Sequence, residues 1–148
     1  MAYNNFIIKI KEPIHKLTYH KNSVHCSILL KDGRFATGSA DHSIIIYNNK
    51  NFKPDLTIKE HSNSVVDLKQ LKSGILASCS GDKTIKLYNI KENEYQVIQT
   101  LNDKDYVYRL IELNNNRLVS CSYRFIISFC FLRNSLISSL AFSSFLIL

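Results

Sequence analysis

The sequence predicts an all-β protein of about three consecutive four-stranded antiparallel sheets, followed by an atypical hydrophobic tail. Three observations lead there: an internal repeat, short β-type runs at matching places in each copy, and turn residues between the runs. Residues 20–48 align with 61–89 without a gap at a spacing of 41, and 13 of the 29 positions are identical. A third copy follows at a spacing of 42, where residues 103–122 keep Val107, Leu110, Leu113, Leu118, Ser120, Cys121 and Ser122.

Each run has its own justification. In the second copy the runs are VVDLKQL (65–71), ILASCS (75–80), TIKLYNI (84–90) and YQVIQTL (95–101). All are rich in β-branched or apolar residues, and Gly81-Asp82 and Asn93 mark turns between them. Gly33 and Gly74 end the first run of their copies, and Asn116 takes their place in the third. A left-handed turn residue explains all three, since Gly adopts that backbone freely and Asn tolerates it. Residues 14–19 read as a leading strand that closes a preceding sheet. No segment before residue 125 holds a 3.6-residue period over ten residues, which excludes the helical solenoids of similar repeat length. Four short strands in every 40-odd residues describe one blade of a β-propeller. The repeat region is therefore 1–124, with copies near 20–60, 61–102 and 103–124, and the tail is 125–148.

The segments SCSGDKTIKLYN (78–89) and SADHSIIIYN (39–48) resemble the hallmark of the WD-repeat family, the propellers typified by the G-protein β subunit. The resemblance covers roughly residues 13–124. It implies a hydrogen-bonded tetrad in each blade: His20, Thr37 or Ser39, Asp41 and Tyr47 in the first, and His61, Ser78 or Ser80, Asp82 and Tyr88 in the second. A buried Asp needs donors, and an imidazole N–H with turn amides can supply them. Both copies carry Tyr-Asn where the family has Trp-Asp, and neither has a Gly before its His. The third copy has Asp103 at the His position and Arg124 at the Asp position, so its tetrad is expected to be lost. Family rings have about seven blades, so this is expected to be a partial propeller, a piece of a larger one, and poorly soluble or oligomeric alone.

The resemblance also implies a non-catalytic scaffold that binds other proteins or peptides on one loop rim. The rim positions are Lys21, Ser23, Ala40, Ser62, Ser64, Gly81, Lys104, Tyr106 and Tyr123, with Tyr106 and Tyr123 as the anchors.

Composition supports no competing chemistry. The net charge of +7 is diffuse, +4 over residues 1–60 and +1 over 61–122, with no dense basic run, so a solvated, mildly basic surface is expected, and salt-sensitive nucleic-acid binding through it stands as an alternative function. Cys26, Cys79, Cys121 and Cys130 lack zinc-knuckle spacing, and they point to a reducing, cytoplasmic setting. His25 and His42 have no ligand partner at metal spacing, and no Gly-x-Ser-x-Gly elbow or phosphate-cradling Gly-rich loop occurs. No enzyme activity, metal or cofactor is expected.

From Phe125 the chain turns to Ser, Phe, Leu and Ile, with Arg133 as its one charge. Three readings stand side by side. The tail is an abnormal end, or a degenerate third strand over 125–132 followed by a packed hairpin or helix, or a C-terminal membrane anchor. Arg133 near its middle counts against the anchor, the one route by which a membrane would be involved.

Overall fold

In the computed structural model, residues 16–114, 117–123 and 127–131 are described. Eleven strands lie along them. The first sheet runs β1 (Val24–Leu29), β2 (Phe35–Ser39), β3 (Ile44–Tyr47) and β4 (Pro54–Ile58), each antiparallel to the next. The second runs β5 (Val65–Gln70), β6 (Leu76–Ser80), β7 (Thr84–Ile90) and β8 (Tyr95–Asn102). The third holds β9 (Val107–Leu113), β10 (Arg117–Ser122) and β11 (Ile127–Phe131). The four runs expected in the second copy are its four strands. Antiparallel neighbours in sequence need only tight turns, and that is how the chain meanders outward in each blade.

The repeat dictates local geometry as well as strand count. Gly33 and Gly74 both sit at positive φ, +88° and +92°, and each donates its amide to a carbonyl three residues back, Leu30 and Leu71. A bulge breaks the register of each innermost strand at the same place, between Val24 and Cys26, Val65 and Asp67, and Val107 and Arg109. Such a bulge twists the strand and re-aims the extra residue. Here the extra residues are His25, Val66 and Tyr108. Asn116 lies outside the described residues, as do 132–148. For the expected tail, only the backbone of Ile127–Phe131 is described, hydrogen-bonded along β10. Among the described residues no helix is long and apolar enough to cross a membrane.

One expectation fails. Residues 16–19 form no strand, and 14–15 are outside the described residues. A strand is held by a partner's ladder, and among the described residues no strand pairs with this segment.

The sheets stack face to face through repeat-equivalent residues. Leu30, Ala36, Ile44, Ile46 and Ile58 of the first meet Val65, Leu68, Leu76 and Tyr88 of the second. Leu71, Ala77, Cys79, Ile85, Leu87 and Leu101 of the second meet Val107, Leu110 and Leu118 of the third. The second core is the first one moved along by one repeat. Burying each such aliphatic side chain contributes roughly 1.5–3 kcal/mol. Where the stack stops, the same positions lie open. Val24 is 53% exposed, against 0% for Val65 and Val107, and Leu113 is 37% exposed, against 3% for Leu30 and 0% for Leu71.

A polar latch repeats too. The Lys31 amide donates to Gln70 Oε1 at 2.7 Å, and the Lys72 amide donates to Glu112 Oε1 at 2.9 Å. Each latch ties the lower turn of one sheet to the inner strand of the next.

Candidate functional site

The loops at one end of the stack hold the histidines, the aspartates and the rim residues. In the second blade His61 is almost fully buried. Its Nδ1 lies 2.7 Å from Asp82 Oδ2 and its Nε2 lies 2.6 Å from Ser78 Oγ. A carboxylate only accepts, so Nδ1 carries the proton and Nε2 accepts from the Ser78 hydroxyl. The Tyr88 hydroxyl completes the line 3.4 Å from Ser78 Oγ, which is long for O–H···O. The first blade repeats the pattern, with His20 Nδ1 2.9 Å from Asp41 Oδ2 and Nε2 2.7 Å from Thr37 Oγ1. Tyr47 is buried, which pushes its phenol up, and a hydrogen bond with Thr37 partly offsets this.

The alternatives Thr37 or Ser39, and Ser78 or Ser80, are thereby separated. Ser39 and Ser80 do not touch the histidines. Their hydroxyls donate to the Asn22 and Asn63 carbonyls and accept the Asp41 and Asp82 amides. Two further residues belong to each site. The Ser43 hydroxyl and amide donate to Asp41 Oδ1 at 2.5 and 3.0 Å, and those of Thr84 donate to Asp82 Oδ1 at 2.6 and 2.9 Å. The Lys21 and Ser62 amides donate to the other oxygens, Asp41 Oδ2 and Asp82 Oδ2. The signal for Ser43 and Thr84 was present as Asp-x-Ser/Thr, a spacing that lets a carboxylate cap its own turn.

The electrostatics follow from this donor set. Burial alone would raise Asp82, but hydrogen bonds from Thr84 and His61 outweigh it and hold the carboxyl below the ordinary range. Asp41 is held well below, since the donations of Ser43, Lys21 and His20 exceed the effect of burial. Burial lowers His61 by more than Asp82 raises it, so the ring is neutral at pH 7.

The third blade keeps a substitute for its lost tetrad. Asp103, at the His position, accepts from Ser122 Oγ at 2.7 Å and Ser120 Oγ at 3.5 Å. Arg124 lies outside the described residues.

Ser78, His61 and Asp82 have the connectivity of a hydrolase triad. Their placement does not suit that chemistry. Ser78 is fully buried beneath Tyr88, and a nucleophile must meet its substrate. The three groups satisfy one another and tie the rim loop to the sheet.

Around these anchors the rim is built alike three times. The Ala40 amide donates to the Ser23 carbonyl, Gly81 to Ser64, and Tyr123 to Tyr106, at 2.8, 3.0 and 2.9 Å. Lys21, Ser23, Ser62, Lys104, Tyr106 and Tyr123 are exposed, and Ser64, Ala40 and Gly81 are partly so. Tyr106 lies over Gly81, where an added Cβ would come within 3.2 Å of its ring. Tyr108, which had not been singled out, joins the rim through its bulge, its ring 6.4 Å from that of Tyr123.

Radially meandering sheets, repeated cores and a His–Asp–Ser/Thr tie per blade define a β-propeller of the kind typical of protein-interaction scaffolds. The model of the WD domain, G-beta repeat, matches residues 11–48 and 52–89, and this chain belongs to that WD40 family. The WD40 β-propeller domain of Doa1 is similar at 28% identity and a TM-score of 0.65, covering 74% of this chain and 37% of that one. A chain of the mitotic checkpoint complex shares the fold at 22% identity and a TM-score of 0.73, covering 81% of this chain and 39% of that one. The chain thus spans less than two fifths of either structure's length. No curated protein matches it in sequence.

Proposed function

We propose that this chain is a non-catalytic protein-interaction scaffold, part of a larger cytoplasmic propeller, and that it binds its partner through the loop rim. The observation that carries this is the division of labour among the rim's side chains. Every carboxylate and imidazole of the two tetrads is consumed by internal hydrogen bonds, so none is left over for catalysis. The same bonds hold the adjacent loop residues rigidly outward, which lowers the entropic cost of binding. Tyr106 and Tyr123 are exposed aromatics on the third blade's loops, held there by the bond from the Tyr123 amide to the Tyr106 carbonyl and by Ser122 donating to Asp103, and they are of the residue type that dominates interface energetics.

Affinity capture with the full chain tests the reading. Partners recovered by the wild type are expected to be lost with Tyr106→Ala/Tyr123→Ala and kept with Lys50→Glu/Lys53→Glu, a change in the turn at the opposite end of the first blade. Partners unaffected by the tyrosine pair would remove the rim from the proposal.

A further inference from the structure

We infer that the rim where the second and third blades meet docks an extended, proline-rich peptide segment, with Tyr106, Tyr108 and Tyr123 as its platform. The inference rests on the rim reading above and adds the chemistry of the partner.

The repeat supplies an internal control. Tyr106 stands where the first two blades have Ser23 and Ser64, Tyr108 where they have His25 and Val66, and Tyr123 where they have Ala40 and Gly81. Two blades form without an aromatic at any of these places, so the fold does not call for the three tyrosines. All three are exposed, and all three belong to one blade.

The rings are held in place. The Tyr123 amide donates to the Tyr106 carbonyl at 2.9 Å, and the Tyr106 amide donates to Asp105 Oδ1 at 2.8 Å. The Tyr106 ring lies over Gly81 beside Asn63, and a Cβ on Gly81 would come within 3.2 Å of both. The Tyr108 and Tyr123 ring centroids are 6.4 Å apart, with the planes at 53°.

Charge does not select the partner here. Asp67, Asp82, Asp103 and Asp105 outnumber Lys83, Lys104 and Arg109 around the rings. The carboxylates are themselves engaged: Asp82 by His61 and Thr84, Asp103 by Ser122 and the Lys104 amide, Asp105 by the Tyr106 amide, and Asp67 by the Leu68 and Leu110 amides and Arg109.

Beside its rings the patch offers hydrogen-bond donors. Asn63 Oδ1 takes the Ser64 amide at 2.7 Å, and among the described residues its Nδ2 and the three phenol hydroxyls have no hydrogen-bond partner. A partner that covers the rings must therefore bring acceptors, because burying an unmatched hydroxyl is costly. A helix has spent its carbonyls on its own amides. A strand places its carbonyls in a ladder with another strand's edge, whereas Tyr106 and Tyr123 lie on loops. Polyproline II leaves its carbonyls free of internal bonds, and its proline rings dock on aromatic side chains. Nucleic acid bases stack on aromatics as well, but their phosphates need a basic groove, and here carboxylates outnumber cations.

Short random peptides selected on the immobilised full chain provide the test. The expected result is enrichment of Pro, with affinity little changed by added salt. Affinity is expected to fall by about tenfold or more in Tyr106→Ala/Tyr123→Ala and by about fivefold in Tyr106→Phe/Tyr123→Phe, which keeps the rings and removes only the hydroxyls. It is expected to be unchanged in Lys50→Glu/Lys53→Glu. Selected peptides without Pro enrichment, or charged and salt-sensitive ones, that are lost with the alanine pair would overturn the proline-rich partner and leave the rim standing. Wild-type affinity in the phenylalanine pair would overturn it too, since nothing would then select an open row of carbonyls. Peptides indifferent to the alanine pair, or no enrichment at all, would end both readings. Labelled oligouridylate that binds the same rim more tightly than any selected peptide would replace the peptide with nucleic acid.

Discussion

The Lys72 amide points across the joint between the second and third blades at the Glu112 carboxylate, 2.9 Å away, as the Lys31 amide does at Gln70 one blade earlier. Residues 70 and 112 are repeat equivalents, so the joint has a polar device as well as an apolar one. Glu112→Ala is expected to cost about 1 kcal/mol and to speed hydrogen exchange at Lys72, and Glu112→Gln is expected to keep both near wild type. Exchange at Lys72 that ignores the alanine change would show that the latch carries no load.

The His61 tie predicts a larger effect. Removing the ring leaves Asp82 without one of its donors and Ser78 without the acceptor of its hydroxyl proton. His61→Ala is expected to lower stability by about 2–4 kcal/mol in urea melts. The Tyr88 hydroxyl sits at a long 3.4 Å from Ser78, while its ring belongs to the core between blades. Tyr88→Phe should therefore cost less than about 1 kcal/mol and Tyr88→Ala about 3–5. Equal losses from the two would assign the stabilisation to the hydroxyl instead.

Acid should weaken the fold in two stages. Burial depresses His61 below its unfolded value of 6.5, so the folded state resists protonation and stability declines as pH falls below that value. Asp82 and Asp41 are depressed below 3.8, chiefly by donors that overcome burial, so their contribution is present above 3.8 and is lost as pH falls further. Urea midpoints between pH 8 and 5 are expected to decline in the wild type and to decline less in His61→Gln. A wild-type midpoint that rises toward pH 5 would contradict the sign.

Gly38 marks a packing limit at the first joint. A Cβ there would come within 2.7 Å of both Cys26 Sγ and Val65 Cγ1. Gly38→Ala is expected to destabilise by about 1–3 kcal/mol, and Cys26→Ala in that background to recover part of it. The second blade tolerates Cys79 at the equivalent place, where Asp67 replaces Cys26. Burial pushes the Cys26 thiol up to about 12, so it packs as an apolar group.

How far the sequence could be read depended on whether a feature was local. The strands at 65–71, 75–80, 84–90 and 95–101 were legible because apolar runs and turn residues recur one repeat apart, and the left-handed backbone at Gly33 and Gly74 followed from the same alignment. Of the leading strand read at 14–19, the described residues 16–19 form none, because apolar character says nothing of whether a neighbour exists to pair with it.

What the chain determined by itself is the blade: its strand count, its turns, and which His and Asp sit at its loops, since each is written within some 40 residues and stated more than once. Thr37 over Ser39 was decided only in three dimensions, because residues two apart in a strand share a face and only the position of the His20 ring separates them. The latch to Glu112 was decided there too. It depends on contact between blades, and a one-dimensional pattern does not record which groups find partners when two sheets are pressed together.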